Sequence, residues 1–256
     1  MSGLHPYFGE PGSIAALAHR GFSLDGFENS MAAFEAAVRL GFRYVETDAH
    51  GTSDGIAVAL HDASLDRTTD ARGDVKNLPW REVSQARIGG EHSVPSLEDL
   101  LGTFPELRIN IDVKGASGIR PVADAVERTR SHHRVCITSF STARRHATVT
   151  QLSRPVATSA GTREAASFFS RGAWGGRLDR PLRHVDALQI PWRVRGRQVL
   201  TPRHIRAAHA AGKLVHVWTV NDASAMHTLL DMGVDGIVSD RADVLKRVLQ
   251  ERGSWD

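Results

Sequence analysis

The feature that most restricts the fold is a rhythm. In 256 residues, eight short apolar runs with strand character are each followed by a segment of helical periodicity. Runs at Ile14 to Ala18, Arg43 to His50, Arg108 to Val113 and Val135 to Phe140 predict the first four strands. Those at Pro155 to Ala160, Ala187 to Ile190, Leu214 to Val220 and Gly236 to Ser239 predict the other four. Helix starts and stops punctuate them, as in Pro202 to Ala211, which has Pro in its first turn and Gly212 at its end. Eight β-then-α units in about 250 residues predict an α/β chain closed into a (β/α)8 TIM barrel. An open doubly wound sheet is the rival, but the glycine fingerprint of a dinucleotide site is missing after the first strand.

The rhythm breaks once. After a hairpin marked by Asp54-Gly55, the polar stretch Asp62 to Pro95 carries Arg72-Gly73-Asp74 and Gly89-Gly90. It reads as a small insertion between strand 2 and strand 3. The expected organisation is therefore one barrel domain over 1–256 with an insertion at about 62–95.

Composition narrows the classes. With 41% hydrophobic and 24% charged residues, the chain is neither disordered nor fibrous. The single Cys136 excludes an intrachain disulfide. No run of 18 apolar residues could span a bilayer, and Met1 to Ser13 lacks a basic stretch followed by an apolar one. A cytoplasmic protein is expected. The net charge of +3 hides a local excess, with eight Arg against Asp179 and Asp186 between Arg177 and Arg206. A nucleic acid, a membrane surface or a small phosphate-bearing substrate would each suit such a region. No helix-turn-helix, zinc or base-stacking motif accompanies it, so no nucleic-acid partner is expected. Arg193, Arg195 and Arg197 follow the sixth strand and fall on the side where a barrel carries its chemistry; Arg203 and Arg206 belong to the next helix and read as solvated.

Reactive residues of such barrels lie at the carboxyl ends of the strands. The first strand ends in His19-Arg20, and the hairpin after the second ends in His61-Asp62. Strand 2 carries Glu46 and Asp48, two apart and so on one face; strand 3 carries Asn110, Asp112 and Lys114 in the same spacing. Inward acids repel one another and lose solvation unless a cation sits between them. Pairing with Arg would account for Glu46 and Asp48 alone. A third acid on the neighbouring strand favours a divalent cation instead, and an all-oxygen set suits Mg2+ or Ca2+ rather than zinc. Two imidazoles flanking that cation suit phosphoryl chemistry, one taking a proton from the nucleophile and the other giving one to the leaving oxygen. Arg20 and Lys114 would hold the phosphate charge.

These residues carry a resemblance. Ala18-His19-Arg20-Gly21, Glu28-Asn29-Ser30, Glu46-Thr47-Asp48, Asp54-Gly55 and His61-Asp62 with Leu65, Arg67, Thr68 and Thr69 stand in order. Ile111-Asp112-Val113-Lys114, Ser139-Phe140, Val217-Trp218-Thr219-Val220-Asn221 and Gly233-Val234-Asp235-Gly236-Ile237 follow. The chain resembles the glycerophosphodiester phosphodiesterases from about Ile14 to its final helix. The resemblance implies a (β/α)8 barrel that hydrolyses glycerophosphodiesters to glycerol 3-phosphate and an alcohol. It implies His19 and His61 as the catalytic pair and Glu46 and Asp48 as metal ligands, with Arg20 and Lys114 near the phosphate. It also makes 62–95 a cap at the site mouth. Trp218 would form an apolar wall near the glycerol, or pack in the interior. The chain departs from the family pattern at Asp112, where Glu is usual, at Phe27, where Pro is common, and at Ser30, where Thr is common.

A mechanism follows from that assignment. The glycerol 2-hydroxyl, deprotonated by one His, attacks phosphorus, the other His protonates the leaving alcohol, and water then opens a cyclic phosphate. A lysophospholipase D with the same catalytic set is one alternative, for which Phe168, Phe169 and Trp174 could line an acyl slot or simply pack on the barrel. A phosphate-binding barrel without turnover is the alternative from another class.

Overall fold

In a computed structural model, which describes residues 4–172 and 176–255, the strand and helix pattern becomes a barrel. In chain order the elements begin with β1 (Ala15–His19), α1 (Met31–Arg39), β2 (Tyr44–Gly51) and β3 (Ala57–Ala59). The insertion follows with α2 (Trp80–Val83), β4 (Arg87–Ile88) and β5 (His92–Ser93). The middle of the chain supplies α3 (Leu97–Thr103), β6 (Arg108–Val113), α4 (Ile119–Thr129), β7 (Val135–Thr138), α5 (Thr142–Val149), β8 (Ala157–Thr158) and α6 (Thr162–Gly172). The last part is β9 (Ala187–Ile190), β10 (Arg193–Val194), β11 (Arg197–Gln198), α7 (Pro202–Ala210), β12 (Leu214–Val217), α8 (Ala223–Met232), β13 (Gly236–Ser239) and α9 (Ala242–Glu251).

The barrel strands run in the order β8-β7-β6-β2-β1-β13-β12-β9, all parallel, with β3 paired antiparallel on β2. Between β8 and β9 the ring is closed by a single parallel bridge, Ser159 to Ala187. All eight expected barrel strands are present, with ends shifted by a few residues. The hairpin β10–β11 was not expected.

Period two sorts the strand residues. Val45, Ala49, Ile109, Ile111, Val135, Ile137, Val215 and Val217 point outward into the main core shared with the helices. Four inward positions near the amino ends are small: Ala15, Cys136, Ala157 and Ala187 are all buried. That space is filled from outside the barrel. A short 3-10 turn, Pro6–Phe8, inserts Tyr7 and Phe8, with Tyr7 edge-on to Tyr44 at 5.5 Å and Phe8 edge-on to His216 at 6.0 Å. Above this plug, polar side chains meet across the interior: Gln189 Nε2 donates to Asn110 Oδ1 at 2.9 Å and Ser159 Oγ to Thr138 Oγ1 at 2.7 Å.

The insertion has apolar packing of its own. Leu65, Val75, Val83, Ala86, Ile88 and Val94 join Val58 and Leu60 in a separate buried cluster. Phe27, the residue that departs from Pro, lays its ring beside His92 at 4.9 Å and against Gly89, where a Cβ would lie 2.3 Å from the ring. It thus ties the β1–α1 loop to the insertion. Ser30 caps α1 by accepting a hydrogen bond from the Ala33 amide at 3.1 Å, so the change from Thr keeps the capping oxygen. Among the described residues, no helix is long and apolar enough to cross a membrane.

Candidate active site

Parallel register decides which side chains meet. β1 and β2 set His19 opposite Glu46; β2 and β6 set Glu46 opposite Asn110 and Asp48 opposite Asp112. Three carboxylates and an imidazole therefore converge at the carboxyl ends of adjacent strands. They line a cavity of about 430 Å³ together with Arg20, His61, Lys114 and Trp218, so every site residue expected from the sequence comes to one place. The tight turn after His19 needs glycine: Gly21 has φ +82°, and a Cβ there would lie 2.6 Å from the Ala33 backbone.

Each histidine is held by a carboxylate. His19 Nδ1 lies 2.5 Å from Asp240 Oδ1, and His61 Nδ1 lies 2.6 Å from Asp62 Oδ1. An ionised carboxylate only accepts, so Nδ1 carries a hydrogen in both rings, which leaves Nε2 as the atom that can take up or give a proton. His19 Nε2 stands 3.6 Å from Glu46 Oε2. Burial disfavours the charged form of His19, but Glu46 and the bond to Asp240 outweigh it and raise its pKa.

Further residues fix these carboxylates. Asn221 Nδ2 donates to Asp240 Oδ2 at 2.8 Å, while its Oδ1 accepts from the Asp240 amide and from Ser239 Oγ. Arg67 Nε donates to Asp62 Oδ2 at 2.6 Å, and that bond holds the Asp62 carboxyl well below the usual range. Glu28 Oε1 accepts from both Arg67 and Arg20, at 2.7 and 3.0 Å. His50 Nε2 lies 3.1 Å from the His61 carbonyl. Asp62, Glu28, Arg67 and Asn221 stood in the resembling motifs without a role. Asp240 and His50 have no place in those motifs: Asp240 meets His19 only through closure of the barrel, and His50 meets the His61 carbonyl across the β2–β3 hairpin.

The electrostatics are uneven. Asp48 is compensated by Lys114 Nζ at 2.8 Å, by Arg20 Nε at 3.0 Å and by the Asn29 amide at 3.1 Å. Burial would raise its pKa, but Lys114 and Arg20 overcome it and lower the value. Asp112 is paired with Lys114 at 2.8 Å and has Arg144 farther off, and burial still keeps its pKa raised; its Oδ1 is buried with no hydrogen-bond partner among the described residues. Glu46 is raised too, first by burial and then by Asp48. Lys114 is held protonated, because Asp48 and Asp112 outweigh the cost of its burial.

The carboxylates thus outnumber the cations near them, which fits a hard cation held by oxygen ligands. Here the Lys114 ammonium stands between Asp48 and Asp112, and no group of three His, Cys, Asp or Glu among the described residues is spaced for a metal. The donor chemistry fits such an ion, while in this structure the space between Asp48 and Asp112 is taken by Lys114.

The other half of the cavity is apolar. Phe140, Ala165, Phe169, Ile190, Pro191 and Trp218 line it, with Phe140 edge-on to Trp218 at 5.7 Å. Trp218 therefore forms a wall of the cavity, although its inner edge also packs on the buried plug cluster. Of the aromatic residues considered for an acyl slot, Phe168 is fully buried in the core and Phe169 faces the cavity. Trp174 lies outside the described residues.

Comparison with known proteins gives a consistent picture. Residues 19–244 match the glycerophosphoryl diester phosphodiesterase family. The chain is 47% identical over 248 residues to "Probable glycerophosphodiester phosphodiesterase 2" of Mycobacterium tuberculosis, covering 96% of this chain and 94% of that one. The human protein "Lysophospholipase D GDPD1" is 33% identical over 132 residues, 46% of this chain and 42% of that protein. An Oleispira antarctica phosphodiesterase, solved in complex with the product sn-glycerol-3-phosphate, superposes with a TM-score of 0.75 at 21% identity. That superposition covers 92% of this chain and 96% of the other, and at this identity it establishes the shared fold.

Proposed function

The chain belongs to the glycerophosphoryl diester phosphodiesterase family, and on that footing we propose that it hydrolyses glycerophosphodiesters to glycerol 3-phosphate and an alcohol by acid–base catalysis from His19 and His61. The observation that carries this reading is the matched pair of imidazoles. Both line the cavity, both are fixed at Nδ1 by a carboxylate, and both keep Nε2 for proton transfer. One Nε2 takes the proton of the glycerol 2-hydroxyl as its oxygen attacks phosphorus, and the other gives a proton to the departing alcohol oxygen. In the second half the roles reverse, as water opens the cyclic phosphate. Arg20 and Lys114 would bind the phosphoryl oxygens, and Trp218 would wall the glycerol side.

Glu46, Asp48 and Asp112 are the residues that would hold Mg2+ or Ca2+, which when bound supplies charge stabilisation to the phosphoryl group. Isothermal titration of metal-stripped protein checks this without reference to turnover. Binding of Mg2+ or Ca2+ that is lost in Asp112→Asn is the expected result; equal binding by both proteins removes Asp112 from the ligand set.

The reaction itself is tested by release of glycerol 3-phosphate from glycerophosphocholine. Protein that is stabilised by glycerol 3-phosphate yet turns nothing over, with either metal present, would instead be a binding barrel. The apolar half of the cavity favours a second reading, in which acylated lysophospholipids are also cleaved. A kcat/KM for lysophosphatidylcholine at or above that for glycerophosphocholine would establish it.

A further inference from the structure

From Ala187 to Asn221 the chain carries six Arg and Lys and no Asp or Glu. Three of these arginines, Arg193, Arg195 and Arg197, sit on the β10–β11 hairpin, which follows directly on Ile190 and Pro191 of the cavity wall. The hairpin is a tight one. Its two turn residues, Arg195 and Gly196, have φ of 50° and 77°, as a two-residue turn between twisted strands requires. Among the described residues none of the three arginines forms an ion pair within 4.0 Å. Arg193 stacks over Trp192 at 3.9 Å. Val194 pairs with Arg197, so an apolar and a cationic side chain share one hairpin face, and Val194 is 48% exposed.

The exposed apolar side chains are unevenly placed. Five large ones stand out among the described residues, and three of them, Leu24, Phe140 and Val194, lie in loops at the carboxyl ends of barrel strands. Phe140 is 57% exposed while lining the cavity, so the mouth of the site is itself apolar at its rim. Scattered exposed apolar residues mean little. These share one end of the barrel with unpaired arginines, and that combination matches a surface that meets phosphate headgroups and acyl chains together. Attraction of a dissolved diester would use the arginine field alone and gain nothing from Val194 or Leu24.

We propose that this end of the barrel, with the β10–β11 hairpin as its cationic foot and Leu24, Phe140 and Val194 as its apolar contacts, docks on anionic phospholipid membranes and presents the cavity mouth to the lipid surface. The docking is independent of which diester is cleaved.

Vesicle flotation tests it, using the full chain with phosphatidylcholine alone and with phosphatidylcholine mixed with phosphatidylglycerol. The protein is expected to float only with the anionic vesicles and to be released as salt is raised. Arg193→Gln/Arg197→Gln should weaken that binding about thirty-fold, at about fivefold per arginine. Val194→Ser should weaken it further without changing its salt dependence. Turnover of glycerophosphocholine in the same preparations is expected to stay unchanged, which shows that the variants are folded. Absence of flotation at low salt would overturn the proposal, as would equal flotation of the double variant. A raised KM for dissolved glycerophosphocholine in the double variant, with no vesicle binding by either protein, would assign the hairpin to substrate attraction instead. Wild-type protein that floats but turns nothing over would leave the docking surface standing and remove the proposed reaction.

Discussion

The two ends of the barrel interior are built from the same eight strands and solve opposite problems. At the carboxyl end, Glu46, Asp48 and Asp112 are buried together with too few cations near them. At the amino end, small inward residues receive Tyr7 and Phe8 and leave an apolar plug. Burying charge costs stability and burying aromatic rings restores it, so the lower end offsets what the upper end spends on chemistry. Asn110, Gln189, Thr138 and Ser159 hydrogen-bond across the interior at the floor of the cavity, while on β1 and β2 the plug residues Leu17 and Tyr44 are followed at the next inward position by His19 and Glu46.

Substitutions that damage one end and spare the other are the sharpest test of that division. His19→Ala or His61→Ala should lower kcat on glycerophosphocholine by roughly 10²–10⁴-fold, with the unfolding midpoint in urea nearly unchanged. At the other end, Phe8→Ala should cost about 3–5 kcal/mol of stability, with turnover per folded molecule preserved. If Phe8→Ala lost turnover before it lost stability, the two ends would be mechanically coupled and the division would fail.

His216 supplies a pH-dependent test confined to the lower end. It is fully buried, neither ring nitrogen has a partner among the described residues, and burial pushes its pKa down from 6.5 to about 4. Between those values the unfolded chain binds a proton that the folded one refuses. Stability therefore falls as pH drops through 6.5 and levels off near 4, a loss of roughly 3 kcal/mol. His216→Met should flatten that part of the pH profile, read from urea midpoints across the range. A profile identical to wild type would place the acid sensitivity elsewhere.

The smallest expected effect concerns positioning at the upper end. Asp240→Asn keeps the size of the group that holds His19 but removes its charge. A loss on the order of a hundredfold in kcat with little change in KM is expected, because the ring loses its fixed orientation. A loss carried by KM alone would make Asp240 a substrate contact.

The upper end was far more legible in the sequence than the lower one, and the reason is physical. Glu46 and Asp48, and Asn110, Asp112 and Lys114, betray themselves by period-two spacing within single strands, which forces them to one face. Asp240 reaches His19 across 221 positions, and aspartates are common after strands, so no local pattern marks it. The plug was invisible for a related reason. Tyr7 and Phe8 lie in a Gly- and Pro-containing leader, and the room made for them comes from single small residues on four different strands. In the insertion, the apolar residues that build its private cluster follow neither strand nor helix spacing, so only its polarity could be read.

The lone bridge between Ser159 and Ala187 has a consequence for how the barrel yields. Every other neighbouring pair of strands in the ring is joined by at least two registered positions, and here side chains make up the difference: the Thr158 amide donates to Asp186 Oδ2, Thr158 Oγ1 to the His184 carbonyl, and Arg145 Nη1 to the Ser159 and His184 carbonyls. Ala160, Gly161, Ala165 and Phe169 flank it on one side, and Ile190 and Pro191 on the other; these are the apolar wall of the cavity. The carboxylates stand on β2 and β6, with Lys114 just past the end of β6, well around the circumference. A substitution at Thr158 or Arg145 would therefore act on the apolar side of the cavity before it reached the carboxylate side.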